Sequence, residues 1–287
     1  MKSKDRLRIR PAVRGDKQSV LELCKRAAPW DYIPKVWDEW ITDKNGRIAV
    51  ATINDQIVGT AHAYLQTSRT AWLEGVRVDP SHRGKGIAGK LNKALVNYSA
   101  KRGASVARLC TGADNVASQK HLAKTGFKLL QSYTRYSAKK PLTRRPASVA
   151  IVKKYDRSLW SRVRTAEDYK AYRGMYTDAW TWYPMTWQSL SGTTKNRTIL
   201  KVNDRSDSGV SIVLPDEKGL TIAYISGTKN KVGQQARYAR FLLSKRNPGQ
   251  RVRAVIPNVA ELTLGLRTAG FTKVGATLVY EERIKKP

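Results

Sequence analysis

Apolar and polar positions alternate along residues 6–11, RLRIRP, which predicts a first strand. From Ala12 to Ala28 the spacing changes. Val20, Leu21, Leu23 and Cys24 recur at the intervals of a helix with one apolar face. The stretch Pro29-Trp30-Asp31-Tyr32-Ile33-Pro34 breaks that helix. A second follows with Val36, Trp37, Trp40 and Ile41 on one side and ends near Asn45-Gly46. Three β-rich runs come next, at 47–53, 56–66 and 69–78, with turns at Asn54-Asp55 and Thr67-Ser68. Pro80 stops the third run, because it cannot donate a ladder bond. A helix opens after Gly84 with Ile87, Leu91, Ala94 and Leu95 on its apolar side. A strand then ends near Thr111, a helix starts at Asn115, and a further strand closes the series by residue 137.

The pattern then restarts. Residues 138–159, AKKPLTRRPASVAIVKKYDRSL, hold two prolines and paired basic residues and read as a linker, with a short strand at 149–152. WSRVRTAED from Trp160 echoes LRIRPA from Leu7. A strand at 220–225, a helix at 232–244 and a strand at 252–256 repeat the earlier order, and NVAELTLGLRTAGF (258–271) mirrors NVASQKHLAKTGF (115–127). This is a tandem duplication of one fold, with domains at 1–137 and 160–287. The class is α/β (α+β), each copy a mixed, mostly antiparallel sheet flanked by helices.

Chemistry concentrates in residues 72–91, WLEGVRVDPSHRGKGIAGKL. A strand runs through a Gly-rich turn into a helix. Glycines let backbone N–H groups approach an anion, and the positive end of the helix dipole holds it there. Arg83 and Lys85 add full charges. The spacing is neither the Walker pattern nor GxGxxG followed by an acid. Sliding the chain by 147 residues sets Asn230 opposite Arg83, Gln235 opposite Ala88 and Thr221 opposite Glu74, and only Gly233 matches, opposite Gly86. The second copy therefore lacks both the cradle and the acid. It is expected to wall the acceptor site or bind a partner, or else to bind the same ligand without turnover.

Arg83-x-x-Gly86-x-Ala88, preceded by Val78-Asp79-Pro80, resembles the acyl-CoA signature of the GNAT N-acetyltransferases, Arg/Gln-x-x-Gly-x-Gly/Ala. The resemblance covers roughly residues 6–137. It implies that the amides of Arg83, Gly84, Lys85, Gly86, Ile87 and Ala88 bind the pyrophosphate of acetyl-CoA. It also implies that the backbone of Val76 and Val78 bonds the pantetheine arm, and that Asn115 contacts it too. Glu74 stands where several members place their general base, among the apolar neighbours Trp72, Leu73 and Val76. The family often has a tyrosine as general acid seven residues after the Asn. Here that place is Leu122, so His121, Tyr133, Tyr136 or a water stay open for the role. Residues 30–34 correspond to the wall of the acceptor site. DYIPKVWDEW together with LEGVRVDPSHRGKGIAGKL is similar to the histidine N-acetyltransferase branch. That points to Asp31 and Tyr32 as acceptor-binding residues and to an acceptor that is a free amino acid such as histidine, or a protein lysine or N-terminus.

Composition adds limits. With 41% hydrophobic residues, 8 Trp and 13 Tyr in 287 residues, the chain can bury two cores and is not a disordered one. Two cysteines, Cys24 and Cys110, argue against a disulfide framework and fit a reducing cytoplasm; both fall in apolar runs expected to be core. No run approaches the ~18 apolar residues of a membrane span. MKSKDRLRIR has no apolar leader core. Three histidines with no acid or cysteine cluster predict no metal site. Ser81 and Ser118 lack a His/Asp setting, which favours direct attack by the amine over an acyl-enzyme. The net charge of +32 divides as +14, +6 and +12 over 1–137, 138–159 and 160–287. Such a field attracts polyanions, nucleic acid included, without specificity, but no motif of a sequence-reading nucleic-acid module is present.

Overall fold

The computed structural model describes residues 6–28, 30–153, 157–191, 197–202, 209–246 and 249–284. The start of MKSKDRLRIR, Pro29 of the expected helix break and residues 154–156 of the expected linker lie outside that set. In chain order the elements are β1 Arg8–Pro11, α1 Lys17–Ala27, α2 Ile33–Trp40, β2 Gly46–Ile53, β3 Gln56–Leu65, β4 Thr70–Val78, α3 Ile87–Lys101, β5 Val106–Gly112, α4 Val116–Ala123 and β6 Lys128–Ala138. There follow β7 Val149–Ile151, α5 Arg157–Thr165, α6 Glu167–Ala171, β8 Met175–Asp178, β9 Thr181–Pro184, α7 Trp187–Ser191, β10 Thr198–Val202, β11 Val210–Asp216, β12 Gly219–Ile225, α8 Lys229–Leu243, β13 Arg251–Pro257, α9 Ala260–Thr268 and β14 Thr272–Arg283.

Two compact units form. The first comprises Met1–Cys110, Asn115–Leu129 and Tyr280–Pro287; the second comprises Thr111–Asp114 and Leu130–Val279. In the first, β1, β2, β3 and β4 pair antiparallel in sequence order, and β5 joins β4 in parallel. The hairpin between β2 and β3 turns on Asn54 and Asp55, both with positive φ (49° and 62°), the conformation that matches strand twist in a two-residue turn. Val20, Leu23 and Cys24 of α1 and Ile33 and Trp37 of α2 pack on Ile48, Val50 and Ile57 of the sheet. The first helix breaks where expected, ending at Ala27, and Pro34 belongs to the start of the second. It sits in the first turn of α2, where a missing N–H costs nothing, so the helix starts earlier and Ile33 anchors it. α3 buries Ile87, Leu91, Leu95 and Tyr98 along one stripe.

The second unit repeats the topology: β10, β11 and β12 are antiparallel neighbours, and β13 joins β12 in parallel. Its edge strand is β7, paired antiparallel with β10 as β1 pairs with β2. The repeat therefore resumes at Val149, inside the expected linker, and the WSRVR echo belongs to helix α5 rather than to a strand matching β1. Cys24 is fully buried, and burial pushes its thiol up to about 12. Cys110 is only half-buried on β5.

Candidate active site

A β-bulge in β4 shapes the site. Thr60 pairs with Arg77 and His62 with Glu74, so three steps along β4 oppose two along β3. The extra residue is accommodated at Gly75, whose φ of +67° suits glycine. A Cβ there would lie 2.9 Å from the Trp40 ring. Gly75→Ala should therefore cost about 1–2 kcal/mol for the left-handed backbone alone and push Trp40 aside, read as a lower urea midpoint. On its other edge β4 pairs with β5 only from Thr70↔Val106 to Trp72↔Arg108. Beyond Trp72 no ladder joins the two parallel strands, and Val76 and Val78 fall in that unjoined stretch of β4, both half-buried.

The turn after β4 is held from below. Asp79 accepts hydrogen bonds from the Ser81 amide (3.0 Å) and hydroxyl (2.6 Å) with one oxygen and from Arg26 Nε (2.8 Å) with the other. Above this strut Gly84 and Gly86 both adopt left-handed φ (79° and 74°), and no atom lies within 4 Å of where a Cβ would stand on either. Gly86 is the N-cap of α3, and no side chain caps the helix. Ile87 points into the core, so only its backbone faces the turn, beside half-buried Ala88. Lys85 is exposed, and Arg83 is anchored by donating to the Ala27 carbonyl (3.1 Å). The result is an uncapped concavity of backbone amides beside a basic rim, suited to a polyphosphate. The Ser81 hydroxyl, with Arg26 assisting, holds the Asp79 carboxyl at about 2. An unfolded Asp titrates near ~4, so this stabilisation is complete above that pH and is lost as pH falls through about 2. The thermal midpoint of the wild type should drop over that window more steeply than that of Asp79→Asn.

Glu74 sits at the bulge, its side chain 19% exposed, with Oε1 3.1 Å from His62 Nδ1. The Trp40 ring stacks on His62 (centroids 4.1 Å, planes 13° apart), and the Tyr64 ring lies 5.7 Å from it. Arg77 grips Asp31 through Nε (2.6 Å) and Nη2 (2.8 Å), and the Ile33 amide donates to the same carboxylate. With both oxygens engaged and its side chain 3% exposed, Asp31 ties the loop before α2 to β4 instead of facing an acceptor, contrary to the sequence expectation. Tyr32 is exposed, and its ring meets Trp40 edge-on. Desolvation, with the Glu74 charge adding, pushes its phenol above the ordinary range.

Residues 17–127 match the family model described as the acetyltransferase (GNAT) family. The chain carries a GNAT-family acetyltransferase domain. Over 95 residues it is 32% identical to a histidine N-acetyltransferase from Xenopus tropicalis, a match covering 33% of this chain and 29% of that protein, so the chain spans less than a third of that relative's length. A GCN5-related N-acetyltransferase from Sphaerobacter thermophilus superposes with a TM-score of 0.69 over 98% of this chain and 96% of that one, at 13% identity. Another from Kribbella flavida reaches 0.55 over 96% and 71%, at 17% identity. At these identities the two structures speak for the fold.

Within the GNAT domain, Asn115 caps α4, its Oδ1 accepting from the Ser118 amide (3.0 Å), and it remains exposed. Leu122, at the place where the family often has tyrosine, is core. Of the other candidate acids, Tyr133 is fully buried in the second unit and donates to the Tyr172 carbonyl (2.7 Å), and Tyr136 is 3% exposed. His121 packs against Gly89, and burial lowers its pKa. The residues that the sequence reading did not assign are Asp79, Arg77, Trp40, His62 and Gly75. Only Gly75, the small residue inside a β-rich run, carried a local signal of a bulge.

The second unit keeps the bulge but closes the rest. Its parallel ladder extends from Gly219↔Arg251 to Ile222↔Ala254, the last residue before the bulge, whereas the β4–β5 ladder stops two residues short of Glu74. At the start of α8 the Lys229 amide donates to Glu261 (2.5 Å) and the Gly227 amide to Asp168 (2.8 Å). Gln235 is fully buried and donates to the Ser226 carbonyl (2.9 Å). Internal carboxylates thus occupy the amides that a bound anion would need. Among the described residues no helix is long and apolar enough to cross a membrane, and no group of three or more His, Cys, Asp or Glu is placed to hold a metal ion.

Proposed function

We propose that the chain is an acetyl-CoA-dependent N-acetyltransferase that moves acetyl directly onto a primary amine. The observation that carries this reading is the union, on one strand–turn–helix segment, of a carboxylate at a bulge, an opened strand edge and an uncapped amide cradle. Acetyl-CoA would supply the activated thioester. In this arrangement the amides of 84–88, with Lys85, hold the pyrophosphate, and the β4 backbone near Val76 and Val78 lines the pantetheine arm. Glu74 takes the proton from the attacking nitrogen as the N–C bond forms at the acetyl carbonyl. The oxyanion is met by a backbone N–H near Val76. When the C–S bond breaks, the thiolate takes its proton from water.

Free histidine is the first acceptor to test, supported by the match to the Xenopus enzyme, with protein lysines and N-termini next. Purified protein given acetyl-CoA and a panel of amines should release free thiol with at least one of them, and mass spectrometry of the products names it. No release with any amine, and no binding of CoA, would remove this reading.

A second reading, polyanion binding, rests on the acid-poor face of α3, where exposed Lys90, Lys93 and Lys101 share a helix without a single acid. Retention on DNA that disappears at moderate salt would mark it as the nonspecific term alone.

A further inference from the structure

We infer that His62 is the positioning residue for the base: its Nδ1–H holds the Glu74 carboxylate in place, and Trp40 stacks on the ring that carries it. This deepens the acetyltransferase reading and rests on it for its kinetic arm. The His62 side chain is 1% exposed and Nδ1 lies 3.1 Å from Glu74 Oε1. An ionised carboxylate only accepts, so the proton of this contact sits on Nδ1. Nε2 is buried and has no hydrogen-bond partner. It lies beside Gly46: a Cβ there would come within 2.8 Å of it and within 2.7 Å of Asp43 Oδ2. A proton on Nε2 would be a buried donor without a hydrogen-bond partner, which favours the tautomer with its proton on Nδ1.

The ring has little freedom to turn. Trp40 stacks at 4.1 Å and Tyr64 lies at 5.7 Å with its plane 21° from that of the ring, so the plane of the imidazole is fixed, and the contact to Glu74 selects which way Nδ1 points. Trp40 comes this close only because Gly75 has no Cβ. Bulge, glycine, indole, imidazole and carboxylate form one chain of contacts ending at the reacting nitrogen. A base misplaced by an ångström can lose up to about 10²-fold in rate, and this assembly removes the rotamer freedom that would misplace it.

The chain has three histidines, so ¹⁵N-imidazole spectra resolve the question directly. One ring, shifted by Glu74→Gln and unchanged by His82→Gln, should carry its proton on Nδ1; all three rings as Nε2–H would overturn the inference. This arm needs no acceptor and stands if the chain transfers no acetyl. The kinetic arm compares three variants. Asn puts its amide N–H where Nδ1 stands, Gln puts its own where Nε2 stands, and Leu has neither. His62→Asn should keep kcat within a few-fold of wild type, while His62→Gln and His62→Leu lose roughly tenfold or more, with the KM for acetyl-CoA unchanged in all three. Equal losses in Asn and Leu variants that still bind CoA would overturn the positioning role.

Discussion

Replacing Gly86 by Asp should abolish binding of acetyl-CoA. Gly86 has φ +74° and open space where its Cβ would be, and Asp is among the residues that tolerate this backbone best. The fold should survive, so the loss reports on charge. A carboxylate placed at the N-cap of α3 would take the helix amides for itself and repel the pyrophosphate, as Glu261 does in the second unit at α8. A reduction of 100-fold or more corresponds to about 2.7 kcal/mol, and calorimetry reads it. Gly86→Asn has nearly the same shape without the charge and should lose much less. The wild type should bind one acetyl-CoA per chain, because the second cradle is filled internally. Two sites, or a single site that survives Gly86→Asp, would locate the cofactor elsewhere.

Glu74→Gln should lower kcat by about 10²-fold or more while leaving acetyl-CoA affinity intact. Gln is close to Glu in shape, and its carbonyl can still accept from His62 Nδ1, so the stack of Trp40, His62 and Tyr64 should persist. What disappears is a group able to take the proton of the attacking amine. Initial rates with the best amine of the panel, set beside calorimetry with acetyl-CoA, separate chemistry from binding. Unchanged rates would take Glu74 out of the base role. Truncation at residue 160 is a poor companion to these tests. It would strip Tyr280–Arg283 from the first unit, where Ile284 donates to Ser105 and Arg108 pairs with Glu281.

Much of the site was visible in the chain because its signals are local. The strand, Pro80 stop and glycine pair of residues 72–91 specify a turn by backbone sterics alone, and the helix after it follows from Ile87, Leu91 and Leu95 at helical spacing. Asp31 illustrates the opposite case. Its place in the loop before α2 suggested an acceptor ligand, but its carboxylate is taken by Arg77, 46 residues away. No local pattern encodes such a pair.

By itself, the sequence determined the order of elements from β1 to β6, the restart of the pattern in the second half, and a strand–glycine turn–helix segment at 72–91 whose basic residues and acid have no match 147 residues on. These depend on hydrophobic period and on glycine and proline backbones, which act within a few residues. The tertiary structure alone decided that His62 faces Glu74 across a bulged register, that Trp40 covers both through the gap left by Gly75, and that internal carboxylates fill the second cradle. Strand register and helix packing join residues far apart in the chain, and a shift of one position would turn each of these side chains to the opposite face.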